Sequence, residues 1–232
     1  MSTVAILIDG GFFHKRANYL WGDPTPEERV KELMAYCHKH LTRRDYLYRI
    51  FYYDCPPSDK KVFHPLTQKQ VLLGQSDLYK WMNQFLELMR TQRKVAVRLG
   101  RLAERDVVYN LRPEITKKLC NGSLSVSDLR ESDFVLEMKQ KGVDMKLGVD
   151  IASVAYKKQV NKIILIAGDS DFVPAAKLAR REDIDFVLDP MGSAIAKDLS
   201  EHIDGLVSPR FIPPKDDLLK DTPGDDAGCF EE

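Results

Sequence analysis

Short apolar strands alternating with amphipathic helices predict an α/β fold built on a mostly parallel central sheet. Three observations carry the prediction. VAILID (4–9) and IILIA (163–167) are nearly continuous apolar runs rich in β-branched residues, the pattern of strands buried on both faces. Segments with a helical stripe of apolar residues lie between such runs. Both runs lead into aspartates, Asp9 in one case and Asp169 with Asp171 in the other, at strand ends where parallel sheets place their ligands.

Taken in order, Gly10 and Gly11 bound the first strand. PTPEERVKELMAYCHKHL (24–41) reads as a helix, with Thr25 as N-cap, Pro26 in the first turn and Glu28 closing a capping box. YLYRIFYYD (46–54) is the second strand, stopped by Cys55-Pro56-Pro57. SDLYKWMNQFLELMRT (76–91) is a second amphipathic helix, and KVAVRLGRL (94–102) alternates as a strand. The stretch 103–139 is charged and carries the turn signals NGS and SVSD; it reads as part of an insertion or flap spanning about 57–140. A helix from about Asp144, the strand ending at GDSD, the helix DFVPAAKLARRED, the strand IDFVLD and the helix SAIAKDLSEHID complete a domain over 1–212. The remainder, 213–232, is acidic with proline and glycine, a composition expected to be disordered.

With 35 basic and 35 acidic residues among 232, the chain has no global nucleic-acid signature, which leaves room for a local basic face. The four cysteines, Cys37, Cys55, Cys120 and Cys229, show no CxxC pair and no zinc spacing, and read as reduced thiols of an intracellular protein. The apolar run at the N-terminus is too short for a signal peptide and none approaches membrane-spanning length, so a soluble, cytoplasmic protein without a membrane partner is expected.

Two aspartates at the end of a buried strand repel, and the cost falls only if they are paired or bind a cation. Asp9 ends a strand of the same type, and a helix beginning near Asp144 and leading into a parallel strand starts at the same rim. Asp9, Asp144, Asp169 and Asp171 thereby converge, and two or three carboxylates with a phosphate oxygen suffice for a magnesium ion. Each aspartate also has an ordinary use: Asp9 as a turn former before Gly-Gly, and Asp144, Asp169 or Asp171 as helix caps. Asp150, on the same helix as Asp144 but about a third of a turn round it, ranks second. Asp189 either borders the site or serves a DPMG turn, and His14 with Lys15 reads as a solvated helix start. Arg98, Arg101, Lys141 and Lys146 are candidate phosphate contacts, joined by Ser170 within GDSD.

In this order IDGGFF, YYD, VRLG, KGVDMKLGVD and IILIAGDSDF resemble the NYN domain family, and most closely its LabA-like branch of PIN-like proteins, over roughly 4–211. The resemblance implies a PIN-like three-layer sandwich with an acidic pocket for Mg2+ or Mn2+ and endoribonuclease activity. On the matching positions it assigns catalysis and metal binding to Asp9, Asp144, Asp169 and Asp171, and it implies pairing into a homodimer or other homo-oligomer. Phe12 stands where many relatives carry asparagine.

The reading that follows is a metal-dependent nuclease cutting RNA, single-stranded by expectation. Basic residues of the flap would track the backbone, and tyrosine or phenylalanine would stack on bases. The alternative is a catalytically weak module that binds RNA or a protein partner. A haloacid-dehalogenase-type phosphatase is disfavoured because Gly11 sits two residues after Asp9, and no phosphate loop of the GxxxxGK[ST] kind is present. A nuclease should keep its carboxylates unneutralised beside a basic groove; a module should block them or pair them with lysine or arginine.

Overall fold

Val4 to Ile8 form the most deeply buried stretch of the first strand, β1 (Ser2–Asp9), because helices cover it on both faces. The computed structural model describes residues 1–213, with the backbone alone at 103–106 and 139–140. The acidic tail expected over 213–232 lies, except for Pro213, outside the described residues. After β1 come α1 (Gly10–Trp21), α2 (Pro26–Lys39) and β2 (Asp45–Asp54). A small hairpin, β3 (Lys61–Phe63) with β4 (Gln70–Leu72), leads to α3 (Asp77–Thr91) and β5 (Val95–Leu99). A second hairpin, β6 (Arg101–Leu111) with β7 (Phe134–Lys141), carries α4 (Pro113–Cys120) near its tip. The chain then forms α5 (Val143–Tyr156), β8 (Lys162–Ile166), α6 (Val173–Arg181), β9 (Asp185–Asp189), α7 (Lys197–Ser200) and β10 (Gly205–Leu206).

Six strands make one sheet in the order β10-β9-β8-β1-β2-β5, and every neighbouring pair is parallel. The chain winds from β1 outward through β2 to β5, returns to β8 on the other side of β1, and winds outward again. The topological switch point therefore lies between β1 and β8, where a ligand crevice opens at the carboxyl ends. Side-chain alternation sorts each strand into two cores. Val4, Ile6 and Ile8 meet α1, α2 and α3 through Phe13, Leu33 and Phe85. Ala5 and Leu7 meet α5, α6 and α7 through Leu147, Ala176 and Leu199. The result is the three-layer α/β sandwich the sequence predicts.

Several elements differ from expectation. No single insertion spans 57–140: β5 pairs with β2 inside the sheet and α3 packs on it, so the excursions are the two hairpins. The strand expected over 94–102 breaks at Gly100, where an added Cβ would meet Val143, the Lys141 carbonyl and Cys55 within 3 Å. The helix expected over 193–204 shrinks to four residues, with Leu199 its one buried side chain. Asp9 caps α1 directly, so a helix starts at the two glycines that read as a boundary.

Asp189 does not border the crevice. It points to the α2 side, fully buried, and accepts hydrogen bonds from Tyr36 Oη (2.6 Å), His40 Nε2 (2.8 Å), Ser208 Oγ (2.6 Å) and the Met191 N–H (2.7 Å). Tyr36→Phe removes one of these donors to a buried carboxylate and is expected to cost ~1.5–3 kcal/mol. Urea denaturation should show a lower midpoint with an unchanged slope.

Candidate active site

The alternation that builds the two cores also aims the aspartates. Asp9 continues the odd-numbered series Ala5 and Leu7, and Asp169 the series Ile163, Leu165 and Ala167, so both reach the rim on the side of α5. There α5 begins. Gly142 at its N-cap takes a left-handed φ of 81° and supplies no capping side chain, so Asp144, the second residue of the helix, is not spent as a cap. Asp9 and Asp169 are each half spent: one oxygen of Asp9 accepts the Phe12 N–H (3.2 Å), and one of Asp169 accepts the Asp171 N–H (3.1 Å). The structural uses and the functional ones thus coexist on the same side chains. Phe12, in place of the family's asparagine, lies against Gly168; a Cβ there would meet its ring at 2.5 Å. That contact seats the GDSD loop on the start of α1.

Charge couples the group. Burial, with the carboxylates of Asp144 and Asp54, pushes Asp9 up to about 6 against one opposing hydrogen bond from Phe12. Asp144 is raised by burial and by Asp169 and Asp171. Among the described residues no lysine, arginine or histidine forms an ion pair with Asp9, Asp144, Asp169 or Asp171. Among them, too, no three acid, imidazole or thiol groups stand close enough to chelate an ion directly. All the donors are hard oxygens under unrelieved repulsion, and magnesium keeps much of its water shell. The set fits a divalent ion held partly through water.

The remaining candidates separate cleanly. Asp150 is spent elsewhere, accepting from Tyr53 Oη (2.8 Å) and Arg98 Nε (3.2 Å), and that pair commits Arg98 as well. Lys146 Nζ donates to the Leu99 carbonyl at 2.5 Å, tying α5 to β5. Arg101 and Lys141 face each other across the root of the β6–β7 hairpin, immediately before α5. Like charges directly opposite are unfavourable without an anion to share. Ser170 opens the short 3-10 turn that follows Asp169.

One group escapes the sequence reading. Asp54 ends β2 at the same rim, 3% exposed, accepting from Tyr52 Oη (2.7 Å) and the Cys55 N–H (2.7 Å). Tyr52 in turn meets His14 Nε2 at 2.9 Å. Burial, with a smaller effect from Arg29, pushes His14 down to about 3, so it is a neutral, packed residue and not a solvated helix start. Gly10 is required here, because a Cβ would fall 2.5 Å from both Asp54 Oδ2 and Tyr52 Oη. The signal was present in YYD, a strand ending on aspartate like the other two.

The NYN domain model matches residues 83–204, just over half of the chain. The chain belongs to the NYN domain family. NYN domains are PIN-like nucleases, and the matched segment contains Asp144, Asp169 and Asp171, whereas Asp9 and Asp54 are brought to them by the fold. No curated protein sequence matches the chain. Among solved structures, a protein of unknown function from Vibrio parahaemolyticus is similar at 14% identity and a TM-score of 0.48, over 89% of this chain and 91% of that one. No helix among the described residues is long and apolar enough to cross a membrane.

The raised Asp9 has a consequence for this NYN domain. Between its ordinary range near 4 and about 6, the folded protein holds a proton that the unfolded chain has released. Its stabilising contribution is complete at low pH and lost as pH rises through that window. Asp9→Asn keeps the cap and removes the charge, so in EDTA at pH 7.5 it should melt higher than wild type by about 1–2 kcal/mol equivalent. The difference should vanish at pH 4; a scanning calorimetry series at both pH values checks it.

Proposed function

We propose that this NYN domain is a metal-dependent endoribonuclease acting on single-stranded RNA, with its centre at Asp9, Asp144, Asp169 and Asp171. The observation that carries the reading is a set of carboxylates at the switch-point rim for which the described chain supplies no cation. A binding module would neutralise or cover them; Phe12 instead rests on Gly168, and no arginine or lysine pairs with the four. The IDGGFF start, with Phe12 at the asparagine position, supports the LabA-like branch. Free Cys37, Cys55 and Cys120 suit the reducing cytoplasm.

Asp9, Asp144 and Asp169 would hold Mg2+ or Mn2+, with Asp171 completing the set. When bound, such an ion supplies Lewis acidity toward the scissile phosphodiester and toward a water molecule. The side chains act around it. Asp9 must be deprotonated to serve, so function in this respect rises with pH up to about 6 and then levels. Arg101 and Lys141, paired at the hairpin root, and Lys146, two residues past Asp144, would hold the RNA backbone against the carboxylates. Phe12 and Gly168 hold Asp169 at its distance from Asp9.

Cleavage of a labelled single-stranded RNA by wild type and Asp169→Asn, with Mn2+, with Mg2+ and with EDTA, tests this. The wild type should require metal, and the variant should lose about 10²-fold or more. Equal activity in both would place the activity elsewhere. RNA binding without cleavage by either protein would establish the module.

A further inference from the structure

On the α1–α3 side of the same rim lies a cavity of about 530 Å³, between the start of α1, the start of α3 and the loop after β2. That volume suits a drug-sized or nucleoside-sized ligand. Its floor holds Gly11, His14 and Asp54, so it opens two residues from Asp9, and Asp54 is close enough to raise Asp9. Trp81 forms a fixed wall: its Nε1 donates to the Pro24 carbonyl at 3.0 Å, and its ring stacks on Phe85 at an interplanar angle of 8°. Pro56, Pro57 and Met82 are further apolar lining, and Leu78 and Met138 leave apolar surface exposed at the mouth, 62% and 40% respectively.

The polar lining is one-sided. Carboxylates contribute to it, and among the described residues no lysine or arginine does. A phosphate is therefore repelled, and a neutral, flat, donor-bearing ring is favoured. At the floor, Asp54 is locked by the Cys55 N–H and Tyr52 Oη, and a carboxylate has more acceptor sites than these two bonds use. Guanine is the RNA base that presents two adjacent N–H donors, at N1 and N2, with the spacing of a carboxylate. Uracil flanks its one N–H with carbonyls that a carboxylate repels, while adenine and cytosine each set an acceptor beside their amino group.

We propose that this cavity is a nucleobase subsite that takes an unstacked guanine of the RNA, held against Trp81 and recognised by Asp54. A base seated there places its own phosphate toward Asp9 and its neighbours, so the subsite would select where the chain is cut. The choice of RNA rests on the nuclease reading, but base binding is measurable without cleavage. In a Trp21→Phe background Trp81 is the sole tryptophan, because the chain has two. Guanosine, adenosine, cytidine and uridine are titrated in EDTA and Trp81 emission is followed.

Guanosine should quench saturably, at least tenfold tighter than the other three, and Asp54→Asn, which turns an acceptor toward a donor, should abolish that preference. Were Asp54→Asn not to fold, the ranking of the four nucleosides on the single-tryptophan protein still decides. No quenching by any nucleoside, or equal quenching by all, overturns the subsite. Metal-dependent cleavage without guanine bias, together with a silent Trp81, sinks the subsite and leaves the nuclease standing. Guanosine binding with no cleavage under either metal does the reverse.

Discussion

Alternation along parallel strands is the constraint on which the centre depends. A strand buried on both faces sends successive side chains to opposite layers, and the registers of β1 and β8 place Ile6 beside Ile164 and Ile8 beside Ile166. Odd positions of both strands then share a face, and Asp9 and Asp169 emerge together on the side where α5 starts. Asp54 and Asp189 emerge on the other side. A shift of one residue in β1 against β8 would exchange the layers and scatter the acids.

The two faces deal with buried negative charge in different ways. Asp189 is surrounded by donors from α2, from the turn after β9 and from Ser208, so it joins elements of the fold. Asp9 and Asp144 receive repulsion instead, and their carboxyls titrate high. Asp54 stands between these conditions, bonded on one side to the floor of a cavity and felt on the other by Asp9. A protein that keeps such repulsion gives up stability at a site where a cation or substrate restores it.

Much of this was legible before any coordinates. The apolar runs of β1 and β8 are unambiguous because parallel strands are apolar at every position, and Thr25, Pro26 and Glu28 mark the start of α2 with the capping box the structure contains. The acids at 9, 144, 169 and 171 could be brought to one rim by topology alone. What stayed hidden has physical causes. α1 begins on two glycines, poor helix formers, because Gly10 must leave room for Asp54 and Tyr52. Asp150 and Arg98 seem available in a linear chain and are consumed by Tyr53 and by each other. The significance of Asp54 required knowing that β2 lies next to β1, and strand order is not written in periodicity.

The place of β1 in the sheet also governs when the protein can be finished. Val4 pairs with Lys162, so one edge of the most apolar strand stays open until nearly three quarters of the chain has been made. At ~5–20 residues per second on the ribosome, that is a wait on the order of ten seconds or more. During this interval β1 and β2 can form half a sheet, with an exposed apolar edge available to chaperones or to other chains. Closing β8 against β1 completes the sheet and brings Asp169 to Asp9 in the same step. The catalytic centre cannot assemble on a nascent fragment, and a chain still in synthesis carries no active nuclease.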